Sequence, residues 1–436
     1  MTGEQDENRL LLVVGPNAAS VANSIINWAS NIDVVGLLCS DDKGVKESAD
    51  KIEEWLSSGG SVGNHLEKYG MRDAVPFRAP RGRSDKIIRC EKIQIPRFTE
   101  LSGRPISLKT SEGDLVRTSS RDVIDCRVGT KLHAIRLVNM VMSNIVDGER
   151  PKICTTNALD GSIRLLKPPQ SYVETGSQRR CLDVGSLLFL SHGDMPSGFK
   201  PRLPDERDIW VISGENGENV DFFGVDELEE KSKLSRLPPS IRTYFEPMFD
   251  RQKVGAAEGF SEKKLSRDKS EPDGQISQLI IGKRFEAVVL SQVMAWCTSR
   301  GLNGADMELW TNLIWETQIN KEEKRTVRES DIILRIGRKF AFFSVKGKFI
   351  QHFQPRGKLS QKKKIALKEM YRHKGEARML RAVPRPMREV FLVVNFEYEG
   401  MKTRWQSRAE EIDVRLCNPR GLWSQLDQAF GFDEEE

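Results

Sequence analysis

The hydrophobic positions near the N-terminus alternate between continuous apolar runs and amphipathic stretches. Residues 9–14 and 34–39 are apolar runs of the kind that central parallel strands show. Each run ends in a polar turn, and apolar residues then recur at helical spacing over residues 18–30 and 45–56. This alternation of strand and helix predicts an α/β fold whose N-terminal part is a doubly wound sheet.

The turns after these strands form one candidate ligand site. Ligands of doubly wound sheets bind at the carboxyl ends of the strands, so Pro16, Asn17 and Ser40 are candidate contacts. The chain has neither a GxGxxG nor a GxxxxGK[ST] motif. A dinucleotide or an ordinary nucleoside triphosphate is therefore disfavoured as the ligand.

A further predicted strand, over residues 122–126, leads into Gly129, Thr130 and Lys131, which open a predicted helix over residues 131–146. Free backbone amides at a helix start, together with a lysine, favour an anion. The alternative is that these three residues only cap the helix. Their place at the same sheet edge as Pro16 favours the ligand site.

A second change of pattern, over residues 329–348, predicts a β-hairpin. Asp331 opens an apolar run, and after a turn at Gly337 the second strand ends in Ser344, Val345 and Lys346. Since strand side chains alternate between faces, Ser344 and Lys346 share a face on which Asp331 of the partner strand can meet them. A carboxylate that holds a divalent ion and an ammonium that positions water suit phosphodiester hydrolysis. The alternative is an ordinary solvent-facing hairpin.

The charge distribution favours a nucleic-acid partner. Residues 335–388 contain 17 lysines and arginines and only two acids, a net charge of +15, whereas the whole chain carries +5. A block of almost only positive charge beside a candidate metal site indicates a phosphate track, which is a surface that contacts the phosphate backbone of a nucleic acid. It does not distinguish DNA from RNA. The predicted nucleic-acid contacts are Lys348, Arg356, Lys358, Lys362, Lys363 and Lys364.

Length and composition limit the remaining possibilities. A chain of 436 residues predicts two or three domains. No apolar run approaches the roughly 20 residues that a membrane-spanning helix needs, and the acidic, polar N-terminus is unlike a signal peptide. The seven cysteines are scattered without CxxC spacing, which favours buried free thiols and a cytoplasmic location.

The hairpin resembles the PD-(D/E)xK nuclease family, in which an acid, a hairpin and an acidic-x-Lys triplet follow in this order. The resemblance implies a restriction-endonuclease-like α/β/α core, with Asp331 and Lys346 in catalytic roles. Glu286, in the helical segment before the hairpin, stands where the family places an accessory acid. The chain departs from the pattern at Ser344, where the family has Asp or Glu.

The following segment offers a replacement for the missing acid. Some relatives with Ser-x-Lys recover the acid from the next helix, which is predicted here over residues 361–381. Glu369 is the preferred candidate, and Glu376 lies on a similar face of that helix. The resemblance thus implies that Asp331, Glu286 and Glu369 hold Mg²⁺ or Mn²⁺. The alternative is that both helix acids are ordinary surface residues.

The N-terminal part resembles the CRISPR-associated Rossmann fold sensor domain, which carries a Gly-Thr-Lys signature where this chain has Gly129, Thr130 and Lys131. Followed by a nuclease domain, this arrangement is similar to the CRISPR ancillary nucleases that cyclic oligoadenylate switches on. Over residues 166–275 the periodicity fades, which predicts an irregular connecting segment with a few strands and a helix at 241–249, followed by a polar linker at 255–275. The resemblance implies a Rossmann-like sensor at residues 1–165 and a nuclease domain at 276–436. It also implies a homodimer with one symmetric ligand pocket.

Two other functions stay open at this point. Ser344 is compatible with a ligand-gated nucleic-acid-binding protein whose nuclease site has degenerated. A restriction or repair nuclease with an unrelated Rossmann-like module is a third possibility.

Overall fold

The fold is described from a computed structural model. The chain forms two compact units, one of Met1–Ser197, Trp315–Val327 and Leu380–Met387, and one of Gly198–Ile314, Arg328–Met379 and Arg388–Glu436. The structure describes residues 7–28, 31–57, 88–95, 109–110, 112–113, 119–126, 151–156, 162–167, 171–177, 182–192, 197–201, 237, 239–249, 271–302, 307–318, 325–347, 383, 385–394, 407 and 409–432.

Both units contain sheets and helices, so the predicted α/β fold class is confirmed. The segment predicted to connect two domains, residues 166–275, forms no unit of its own, because it divides between the two units after Ser197. Its described residues include strands and helices, and the helix predicted at 241–249 is confirmed at Pro239–Phe249.

The first unit is built on a sheet that has eight strands among the described residues, in the order β4-β3-β2-β1-β5-β6-β7-β8. Strands β3, β2, β1, β5 and β6 are parallel, whereas β4, β7 and β8 pair antiparallel with their neighbours. The strands are β1 Arg9–Val13, β2 Val34–Cys39, β3 Arg89–Gln94, β4 Lys109–Thr110, β5 Val123–Asp125, β6 Lys152–Thr156, β7 Ser162–Lys167 and β8 Ser171–Ser177.

The strand order reverses at β1, because the chain proceeds from β1 to β2 and β3 on one side and places β5 on the other. Such a reversal is the position at which doubly wound sheets bind ligands. Three helices of this unit pack against one another: α1 Ala18–Trp28, α2 Lys43–Ser57 and α3 Val184–His192. The indole nitrogen of Trp55 on α2 donates a hydrogen bond of 3.1 Å to the Ser186 hydroxyl on α3.

The second unit contains a six-stranded sheet, counted over the described residues, in the order β14-β13-β12-β11-β10-β9. Strands β11 and β12 form an antiparallel hairpin, and β12, β13 and β14 are parallel. The hairpin turn needs Gly337, whose φ of 55° lies in the left-handed region that favours glycine. The strands are β9 Ser197–Phe199, β10 Met307–Gln318, β11 Arg325–Ile336, β12 Lys339–Lys346, β13 Arg388–Val394 and β14 Arg415–Cys417.

The core of the second unit lies between this sheet and three helices, α4 Pro239–Phe249, α5 Glu271–Ser299 and α6 Pro419–Phe430. Helix α5 packs against α4, α6 and β12. The carboxylate of Asp427 ties α6 to α5, since it accepts hydrogen bonds from both the Arg300 guanidinium, at 2.9 and 2.7 Å, and the Trp296 indole, at 3.0 Å. The helix predicted over 361–381, which would supply a further layer, lies outside the described residues.

Helix α5 begins earlier than the sequence predicts. Residues 271–275, which the sequence predicts as the end of a polar linker, belong to its first turns. Pro272 is compatible with this start, because the first turn of a helix does not use the backbone N–H that proline lacks. The rest of the predicted linker lies outside the described part of the chain.

The described helices include none that is long and apolar enough to cross a membrane. Six of the seven cysteines lie in described segments, and all six are free thiols. Burial raises the pKa of the Cys39 and Cys126 thiols to about 12, so these two thiols are protonated at neutral pH.

Gly36, in the middle of β2, allows the neighbouring strands to pack closely. A Cβ atom at this position would lie 2.5 Å from Leu11 Cδ2 and 3.0 Å from Ile93 Cδ1, both on fully buried side chains. We expect Gly36→Ala to lower the free energy of unfolding by about 1–3 kcal/mol, the usual cost of overpacking a core. Urea denaturation followed by tryptophan fluorescence measures this loss.

Gly44 in α2 provides the matched control, because a Cβ atom there meets nothing closer than Pro16 Cβ at 3.8 Å. Gly44→Ala should leave the free energy of unfolding unchanged or raise it by about 0.4–1 kcal/mol, since it restricts the unfolded chain. Equal stability losses in the two variants would contradict close packing at β2.

Candidate functional site

Asp331 and Lys346 lie together on the β11–β12 hairpin. The Lys346 ammonium is 3.6 Å from Asp331 Oδ2. The same oxygen accepts a hydrogen bond of 2.6 Å from the backbone N–H of Val345. The convergence of carboxylate and ammonium that the sequence predicts is therefore confirmed, and the backbone of β12 fixes the orientation of the carboxylate.

The hairpin register explains why these side chains meet. Ile332 pairs with Phe343 and Ile333 with Phe342, so Asp331 comes next to Ser344 at the end of the ladder. Alternation along β12 buries Val345 in the core beneath the helices and places Ser344 and Lys346 on the other face. The Ser344 side chain is itself buried, and Lys346 is about one third exposed.

Glu286 on α5 adds a second carboxyl group to this site. The residue is buried, and its burial, followed by the negative charge of Asp331, raises its pKa to about 8. The neighbouring Lys283 acts in the opposite direction and lowers it. Burial therefore outweighs the effect of the Lys283 ammonium, and a cation bound beside Glu286 would favour its charged form.

Lys283, three residues before Glu286 on α5, was not predicted from the sequence. Its ammonium lies 2.6 Å from Glu286 Oε2, 2.9 Å from Asn312 Oδ1 on β10 and 3.7 Å from Glu329 Oε1 on β11. Burial lowers the pKa of Lys283, but the charge and hydrogen bond of Glu286, together with the charges of Asp331 and Glu329, outweigh burial and raise it overall. A spacing of three residues on one helix was the signal that could have found it.

Asn312 and Tyr244 were also missed. Asn312 Nδ2 donates a hydrogen bond of 3.4 Å to the Tyr244 hydroxyl of α4. Burial raises the pKa of Tyr244, so the hydroxyl is protonated at neutral pH. Asn312 has a φ of 48°, which few residues other than glycine, asparagine and aspartate adopt. Sequence pattern alone gives no signal for this position, because it lies inside a strand.

The donor atoms at this site fit a hard divalent cation in part. Mg²⁺ takes oxygen ligands and is often held by one or two carboxylates plus waters, a requirement that Asp331 and Glu286 meet. Within the described segments, no group of three or more histidine, cysteine, aspartate or glutamate side chains is arranged to hold a metal ion. Glu369, the predicted third ligand, lies outside these segments.

The candidate ligand site of the first unit is described in part. Asn17 caps α1: its side-chain oxygen accepts from the Ser20 N–H at 3.4 Å, and its carbonyl accepts from the Ser20 hydroxyl at 2.9 Å. Pro16 precedes it and is exposed, whereas Ser40 is buried and donates its hydroxyl to Asp42 at 2.7 Å. Both turns follow strands at the carboxyl edge of the sheet.

Gly129, Thr130 and Lys131 lie outside the described residues. The strand that leads to them is described and ends at Asp125, beside β1 at the reversal of the strand order. Asp125 is fully buried, and its carboxylate accepts hydrogen bonds from the Ser24 hydroxyl of α1 and, at 3.3 Å, from the Thr156 N–H of β6. This network ties the neighbouring elements together at the predicted ligand edge.

The predicted phosphate track is also outside the described residues, from Lys348 through Lys364. Lys339 and Arg335, at the other end of the hairpin, belong to the same basic block and are described. Both serve the fold there, because the Lys339 ammonium donates to the Ala429 carbonyl at 2.9 Å and Arg335 forms a buried ion pair with Glu308, also at 2.9 Å.

Comparison with known proteins supports the fold alone. No protein-family model matches the chain, and no curated protein sequence matches it. The chain is similar to a crystal structure of protein VC1899 from Vibrio cholerae, with a TM-score of 0.53 over 97% of this chain and 98% of that chain. The two sequences are 11% identical, so the similarity extends to the architecture of nearly the whole chain and no further.

Proposed function

We propose that this chain is a metal-dependent nuclease that a cyclic oligoadenylate activates, acting on DNA or RNA in type III CRISPR antiviral defence. The observation that carries the proposal is the 3.6 Å approach of the Lys346 ammonium to the Asp331 carboxylate beside the buried Glu286. A carboxylate pair and an ammonium at one end of a mixed sheet are the groups that phosphodiester hydrolysis needs.

Asp331 and Glu286 are the residues that would hold Mg²⁺ or Mn²⁺. When bound, the ion would offset charge on the scissile phosphate and lower the pKa of a bound water. Asp331 Oδ2 is already engaged by the Val345 N–H, which leaves Oδ1 as the oxygen without a hydrogen bond from the described residues. Lys346, on the same side of the hairpin, would orient the attacking water and offset the charge that develops on the phosphate.

Ser344 determines how many acids the site contains. Its hydroxyl is neutral where the resembled family has a carboxylate, so the site has one negative charge fewer. Glu369 on the predicted helix 361–381 remains our candidate for the additional ligand. The basic residues from Lys348 to Lys364 would hold the phosphate backbone of the substrate next to the site.

Control by the first unit follows from the symmetry of the proposed activator. A cyclic oligoadenylate has rotational symmetry, and a homodimer with a twofold axis can present Lys131 and Thr130 from both chains to it. The ligand activates the enzyme only if it binds the nuclease-competent dimer more tightly than the resting dimer. Pro16, Asn17 and Ser40 would line the same pocket.

A single assay tests this function. The purified full-length protein is incubated with Mn²⁺ and labelled single- and double-stranded DNA and RNA, with and without each cyclic oligoadenylate. We expect at least one substrate to be cut, and cutting to require both the metal and one ring size of the ligand. Cleavage that is independent of every cyclic oligoadenylate would contradict the sensor and favour an unregulated nuclease.

Ser344 also supports a second candidate function, a ligand-gated nucleic-acid-binding protein without cleavage activity. Metal titration separates the two functions. The nuclease gains activity as Mg²⁺ or Mn²⁺ is added, whereas a pure binding protein shows only an affinity for nucleic acid that falls with salt.

A further inference from the structure

Three oxygen atoms from three separate elements surround the ammonium of Lys283. They are Glu286 Oε2 on α5, Asn312 Oδ1 on β10 and Glu329 Oε1 on β11, at 2.6, 2.9 and 3.7 Å. Two of these oxygens are carboxylates and the third is an amide carbonyl. Such a set of hard oxygen donors around one point is what a protein offers to a cation.

The amide of Asn312 is oriented for this contact. Its nitrogen donates to the Tyr244 hydroxyl, so its oxygen turns toward Lys283. The Tyr244 ring is in turn stacked on Phe199, with ring centroids 4.1 Å apart and nearly parallel planes. Asn312 has a left-handed backbone, with a φ of 48°, and the surrounding contacts hold it in place.

We propose that Lys283 is a fixed cation that fills the position beside Glu286, so that the site takes one divalent ion rather than two. Lys283 is then a positioning residue, because it acts on the reaction through the orientation of Glu286. One oxygen of Glu286 faces the ammonium, and the other would complete the ion site with Asp331. The inference rests on the proposed function, since it concerns the same site.

The charge of the site supports a single ion. Ser344 replaces an acid of the resembled family, and Lys283 adds a positive charge among the remaining ones. A second divalent ion would have to displace an ammonium that already has three oxygen partners. Removal of the ammonium would leave the oxygens of Glu286, Asn312 and Glu329 facing a position without a cation, which a second ion could then occupy.

The experiment counts Mn²⁺ ions bound per chain, by electron paramagnetic resonance titration of the purified full-length protein. We expect one ion per chain in the wild type and two in Lys283→Met, which keeps the aliphatic stem but removes the charge. Lys283→Arg, which retains a cation, should bind one. In the double variant with Glu329→Gln, the second ion should be lost again, because Glu329 faces the position of the ammonium and is not a proposed ligand of the first ion.

Lys339→Met is the matched control, because Lys339 lies on the hairpin that carries Asp331 and Lys346, and its ammonium donates to the Ala429 carbonyl away from the site. It should bind one ion. If circular dichroism shows that Lys283→Met does not fold, Lys283→Gln replaces it, since its neutral amide can still donate to Glu286. The same count of two is expected.

The outcomes separate this inference from the proposed function. One ion in both the wild type and Lys283→Met would overturn the inference and leave the metal-dependent nuclease intact. Two ions in the wild type would also overturn it. No ion in the wild type would overturn both the inference and the proposed metal dependence.

Discussion

Asp331→Ala and Lys346→Ala should each lower the rate of activated cleavage by about 10³-fold or more. Loss of Asp331 removes a carboxylate that would hold the ion, and loss of Lys346 removes the ammonium that faces the phosphate and the water. Electrostatic groups of this kind contribute about 10²–10³-fold each, and the loss of metal adds to it. Single-turnover cleavage at saturating Mn²⁺ and activator measures the effect.

Two controls make this result specific to the site. Asp331→Asn has nearly the same shape and can still accept from the Val345 N–H, so a loss of cleavage in this variant reports charge rather than folding. Lys339→Ala removes a lysine from the same strand without touching the site, and should keep full activity. Affinity for the cyclic ligand should be unchanged in all these variants. Cleavage at the wild-type rate by Asp331→Ala or by Lys346→Ala would refute the assignment of the site.

Lys131→Ala should abolish activation by cyclic oligoadenylate and leave metal binding unchanged. A hydrogen bond to a charged group contributes about 1.5–3 kcal/mol, and a symmetric pocket loses two such contacts when both chains carry the substitution. We therefore expect the ligand Kd to rise by about 10²-fold or more. Isothermal titration calorimetry with the cyclic ligand measures this change, and Mn²⁺ titration checks that the nuclease site is intact.

Lys152→Ala is the control for this second prediction. Lys152 is exposed and begins β6, at the amino edge of the parallel sheet, which is opposite the predicted ligand edge. Its removal changes the charge of the first unit by the same amount as Lys131→Ala. If both variants weakened the ligand equally, the effect would be one of net charge and the Gly129–Lys131 pocket would be disproved.

The local pattern of the sequence was sufficient to predict the features that depend on neighbouring residues in one strand, helix or hairpin. The apolar runs at residues 9–14 and 34–39 are strands, and both amphipathic stretches that follow them are helices. The approach of Lys346 to Asp331 was predictable for the same reason. Side chains two residues apart share a strand face, and a two-residue turn at Gly337 leaves little freedom in the register.

Boundaries that depend on long-range packing were not predictable. The first sheet continues through β7 and β8, and α3 packs on α1 and α2, so the first unit extends to Ser197 rather than to residue 165. Likewise the stretch Gly198–Ile314 belongs to the second unit, in which β9 joins the sheet and α4 packs on α5. The short strands and helices in this region have weak patterns in the sequence. The strands and helices that they contact decide to which unit they belong.

The sequence alone thus determined that strands and helices alternate in the N-terminal part of this chain. It also determined that one hairpin brings a carboxylate to an ammonium and that basic residues are concentrated in one block. These features follow from the alternation of side chains over a few residues. Only the tertiary structure decided what surrounds that hairpin. Lys283, Asn312 and Tyr244 belong to three elements, with 29 residues separating the first two and 68 the last two, and meet because the sheet and its helices pack together. No local period encodes a contact over such distances along the chain.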